Sequence, residues 1–83
     1  MAKSKEERLL DEKISIRIKS LREQFESNQS KFAKDNLIDR QLISRWENRH
    51  DERGISIHSI SKFCRMVNIS LKDFFDHESF KNR

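Results

Sequence analysis

The sequence predicts an all-α fold of five short helices, and three observations predict it. Apolar residues return at intervals of three and four. A Ser, Asn or Asp stands ahead of most of these runs, where its side-chain oxygen can accept the free N–H groups of a first helical turn. The chain has no proline and a single glycine, so little interrupts a helix once begun.

Taken in order, residues 1–11 are almost wholly polar apart from Leu9 and Leu10 and read as a flexible arm that could extend the first helix backwards. The domain proper spans 12–77. Ile14, Ile18, Leu21 and Phe25 mark one apolar helix face, and the opposite face, with Arg17, Lys19 and Glu23, is expected to be wet. Ser27 or Asn28 caps a short second helix that turns Phe32 and Ala33 inward. Asp39 caps a third over 40–48, and these two helices make an αα corner. Residues 49–55 hold the only glycine and read as a loop. Ser56 opens a fourth helix on Ile57, Ile60, Phe63, Cys64 and Val67, and Ser70 with Asp73 opens a fifth carrying Leu71, Phe74 and Phe75. Residues 78–83 are left as a tail.

The chain of 83 residues is one small domain, and a net charge of +4 leans toward nucleic acid or an anionic surface, although acids are interspersed throughout. One cysteine, Cys64, cannot form an intrachain disulfide and reads as an inert buried thiol in a reducing compartment. No apolar run suits a secretion signal or a membrane span, so a cytoplasmic protein is expected. His50, His58 and His77 are scattered, and His77 with Asp73 makes a poor metal pair. Paired carboxylates, a Gly-rich phosphate loop and a Ser/His/Asp set are all missing, so neither an enzyme nor a cofactor is expected.

The stretch "RQLISRWENRH" is the informative one. At about 100° per residue, Leu42, Ile43, Trp46 and Glu47 fall on one half of a helix and Arg40, Gln41, Ser44, Arg45 and Asn48 on the other. Such a polar half is either a solvated surface or a reading head. Arg pairs with guanine O6 and N7, and Gln with adenine N6 and N7, so this set fits the major groove. Gln29 and Ser30 would then lie near a phosphate, and Leu42 is core or a thymine-methyl contact.

Here the chain resembles the Cro and phage-repressor (XRE-type) helix-turn-helix domains, from about Ile14 to Phe75. Gln29, Phe32-Ala33, Ile38, Asp39, Arg40, Ile43, Ser44, Arg45, Trp46 and Glu47 are similar to that family's "Q-x-x-L-A … V-S-R-x-x-I-S-R-I-E" line, and "ISLKDFF" to its closing "V-S-L-D-E-L-F". The resemblance implies a lambda-repressor-like fold whose Arg40, Gln41, Ser44 and Arg45 face base edges. It implies backbone contacts from Gln29, Ser30, Asn48 and Arg53, and an internal ion pair between Arg22 and Glu47. Helix 28–36 would cross above the recognition helix.

The same resemblance implies a sequence-specific regulator of transcription from a bacterium or phage, with repression as the default outcome and the nucleoid as its place. Its partners would be a pseudo-palindromic operator in double-stranded DNA and a second copy, with half-sites about ten base pairs apart or a multiple. Helix five and its tail, Phe80 included, would form the dimer surface. The alternative is an antitoxin-like or adaptor module that keeps the fold and grips a protein. The sequence also departs from the family. Leu37 stands where a glycine is usual and Asn36 where an apolar residue is, so either Asn36 takes the left-handed conformation with Leu37 packed inward, or the turn is longer. Arg49 replaces a terminating glycine, which would let the recognition helix run on, and Asp51 and Glu52 put acid where phosphate is expected.

Overall fold

The computed structural model describes residues 3–81, so the ends of the expected arm and tail, 1–2 and 82–83, lie outside the described residues. Ser4 starts the first helix with a reciprocal cap. Its Oγ accepts from the Glu7 N–H at 3.1 Å, and the Glu7 carboxylate accepts from the Ser4 N–H at 2.8 Å. The helix α1 therefore runs over Lys5–Phe25, and most of the expected arm is helix. Five more follow among the described residues: α2 Gln29–Asp35, α3 Arg40–Trp46, α4 Ile57–Met66, α5 Leu71–Phe75 and α6 Glu78–Lys81. None of the described residues lies in a strand. The sixth helix was expected as tail, and α3 stops at Trp46 with Glu47 as its cap instead of running on to 48.

Asn28, Asp39, Ser56 and Ser70 cap α2 to α5 through their side-chain oxygens. The ends of α2 and α4 are built alike. After α2, the Leu37 N–H donates to Lys34 O and the Ile38 N–H to Ala33 O. After α4, the Asn68 N–H donates to Arg65 O and the Ile69 N–H to Cys64 O. Leu37 and Asn68 occupy the left-handed position of these turns, at φ 56° and 61°. Asn36 is thus not the left-handed residue, and Leu37 does not pack inward: it is 93% exposed. The outcome follows from the hydrogen bonds, which bring Ile38 onto the core and leave the residue before it outside.

The core gathers around Phe63, fully buried on α4, whose ring meets Phe32, Trp46 and Phe74 at 6.1, 6.4 and 6.3 Å. Ile14 and Ile18 of α1 close it from one side, while Phe25 is 56% exposed and touches Phe32 only by its edge. Phe80, partly buried, folds back onto Phe74 and Phe75 at 6.3 and 5.1 Å. Arg17, expected on the wet face, donates its Nε to Phe74 O at 2.8 Å and its Nη2 to Asp73 O at 3.0 Å, tying the end of α5 to α1. No described helix is long and apolar enough to cross a membrane.

Candidate nucleic-acid interface

What holds α3 in place is a buried ion pair. Arg22, 3% exposed, sends Nε and Nη2 to the two carboxylate oxygens of Glu47 at 2.8 and 3.0 Å. Its remaining Nη1 donates to the carbonyls of Glu26 and Ser27, so the guanidinium leaves little of its donor capacity unspent. The hydrogen bonds that Glu47 accepts from it, opposed by burial, raise the Arg22 pKa above its ordinary value. On the inward side of α3, Ile43 and Trp46 are buried and Leu42 is packed against the core. The helix is thus fixed by three apolar side chains and a two-pronged salt bridge at its end.

On the outward side, Arg40, Gln41 and Ser44 are exposed together. Gln29 connects this face to the ion pair. Its Nε2 donates to Glu47 Oε1 at 3.0 Å, and its Oε1 accepts from Arg40 Nε at 3.2 Å. The chain Arg22–Glu47–Gln29–Arg40 therefore runs from the core to the surface and takes only the Nε of Arg40. Both terminal nitrogens of that guanidinium are without a partner among the described residues, and they are the pair that a guanine or a phosphate accepts as a fork.

The other predicted site residues either make hydrogen bonds within the chain or lie exposed. Arg45, expected to face bases, is half-buried and donates Nη1 to Gly54 O at 3.2 Å, which ties α3 to the following loop. Arg53, expected on phosphate, is clasped by Asp51, with Nε to Oδ1 at 3.1 Å and Nη2 to Oδ2 at 2.8 Å. Side-chain and backbone hydrogen bonds from Arg53 hold the Asp51 carboxyl down at about 2. Asn48 is exposed, and its Oδ1 accepts from the His50 N–H. Gln29, also expected on phosphate, has both ends of its amide in the chain above, and Ser30 is exposed beside it.

Two features escaped the sequence. The role of Gln29 as a link has no signal in spacing, since its partners lie eleven and eighteen residues away. The anchoring of Arg17 did have one: it stands three residues after Ile14, within the buried stripe of α1. A hollow of about 450 Å³ between the start of α1 and the loop after α3 is lined by Lys3, Arg8, Asp11, Glu12 and residues 49–52. Charges of both signs mix there, and Lys3 pairs with Asp11 across it. Among the described residues no group of three His, Cys, Asp or Glu could hold a metal ion. Burial raises the Cys64 thiol pKa, which keeps it protonated and unreactive.

No family model matches the chain, and neither a curated protein nor a solved structure matches it.

Proposed function

We propose that this protein binds duplex DNA sequence-specifically as a lambda-repressor-like helix-turn-helix regulator of transcription, with α3 in the major groove. One observation carries the reading: Arg40, Gln41 and Ser44 are exposed together on a short helix whose other side is locked to the core, with the Arg40 fork without a partner among the described residues. A solvated helix has no need of a relay that orients one arginine from a buried ion pair. Base readout does, because a bidentate contact loses its discrimination when the donor can swing. Arg40 and Gln41 are the proposed base readers, with Ser44 beside them. Arg45 supports the reading as an anchor of the loop more than as a reader.

A protein-interaction module on the same fold is the second reading. It draws on Arg45, which gives one hydrogen bond to the loop, on Arg53, which is paired with Asp51, and on a net charge of only +4. Selection of bound sites from a pool of random duplexes, at roughly physiological salt, separates the two. Enrichment of a two-fold symmetric site supports a dimeric DNA reader, and Arg40→Ala should then cost about 1–3 kcal/mol on that site and relax one base position. A pool that stays random with folded protein rejects the DNA reading.

A further inference from the structure

Leu37 is exposed to 93%, whereas the other exposed large apolar side chains range from 37% to 56%. It also holds φ at 56°, in the left-handed region where a Cβ is strained and where glycine or asparagine is the usual occupant. The second copy of this turn, after α4, is made with the same hydrogen bonds and an asparagine, Asn68. The turn by itself therefore does not call for a leucine, and nor does the core, which takes Ile38 instead. Because Ile38 turns in, Leu37 and Asp39 are left on the outer side, directly ahead of exposed Arg40 and Gln41.

Resting on the DNA-reading function above, we propose that Leu37 is a specificity-determining residue that packs on the 5-methyl group of a thymine next to the base pair read by Arg40. The thymine methyl is the apolar group that base pairs present in the major groove, and neither a guanidinium nor an amide can read it well. A protein partner would call for a wider apolar patch. The exposed residues that flank Leu37 in the chain are instead Lys34, Asp35, Asp39, Arg40 and Gln41, none of them apolar.

The test replaces each thymine of the selected duplex, one at a time, by deoxyuridine, which keeps the pairing edge and removes the methyl. Wild type and Leu37→Gly are titrated on every duplex, and a thermal melt checks that the variant folds, as its turn favours. One deoxyuridine per half-site should weaken the wild type about fourfold, the worth of one buried methyl, and leave Leu37→Gly unaffected. Both proteins should keep the base preference that depends on Arg40. No methyl-sensitive position in the wild type, or an equal loss in the variant, overturns the role of Leu37 and leaves DNA reading intact. A wild type that selects no duplex at all overturns both.

Discussion

The chain builds the same junction twice and ties each to α1 with a different arginine. After α2 and after α4, a left-handed residue, an inward isoleucine and a capping side chain follow in the same order: Leu37, Ile38, Asp39 and Asn68, Ile69, Ser70. The helix after the first junction, α3, is held by Arg22 through the buried carboxylate of Glu47. The helix after the second, α5, is held by Arg17 through two backbone carbonyls. A carbonyl tie fixes an end of a helix, whereas a carboxylate tie also passes on a charge. Only the first junction extends its tie, through Gln29, to a side chain at the surface. On the proposed DNA-reading function, the first junction carries the working face and the second is scaffold.

The two ties should break unequally. Glu47→Ala strands the Arg22 charge in the interior and should cost about 3–5 kcal/mol of stability. Denaturant unfolding reads this directly, and an unchanged midpoint would deny that the pair is buried. Arg17→Ala removes one part-buried and one exposed hydrogen bond from a charged donor and, with the exposed one replaceable by water, should cost less, about 1.5–3 kcal/mol, by the same measurement. A loss equal to that of Glu47→Ala would make the two junctions energetically alike.

The left-handed residues should respond in opposite directions. Leu37→Gly relieves about 1–2 kcal/mol of strain against about 0.5–1 of added chain entropy, for a gain of up to about 1.5 kcal/mol. Asn68→Leu should lose a comparable amount. For a domain of this size each kilocalorie is a shift of roughly 4–8 °C in Tm, and a Leu37→Gly protein that melts lower would mean Leu37 stabilises the fold through packing.

The smallest effect belongs to the loop between the junctions. Asp51 is held at about 2 by Arg53. A carboxylate whose pKa folding depresses contributes stability above its unfolded value of about 3.9 and loses it as the pH falls toward the folded value. The contribution should therefore fade between about pH 4 and pH 2, and Asp51→Asn should flatten stability in that window. Titration of the Asp51 carboxyl near pH 4 by NMR would show that the clasp does not persist in solution.

Helices α2 to α5 were legible because each has both an apolar period and a cap, and Asp39, Ser56 and Ser70 are read from the chain without its fold. The candidate site was legible as a set of residue types, and less so as a set of roles. Spacing separates Arg40, Gln41 and Ser44 from Ile43 and Trp46, but Arg45 and Arg53 look equally available until a loop carbonyl and Asp51 take them. Arg17 was misplaced because its charge outweighed its position in the Ile14–Ile18 stripe. Leu37 was misjudged for a related reason. Apolar character argues for the interior, whereas the turn's hydrogen bonds decide which of two adjacent apolar residues goes there.

The chain has one tryptophan, and it sits on the inward side of α3 against Phe63. Its indole N–H is buried and has no hydrogen-bond partner. The molecule thus carries its own optical label at the seat of α3. Because Trp46 faces away from Arg40 and Gln41, its emission should report whether α3 stays docked, and a change on adding duplex would signal rearrangement within the protein and not direct stacking on a base.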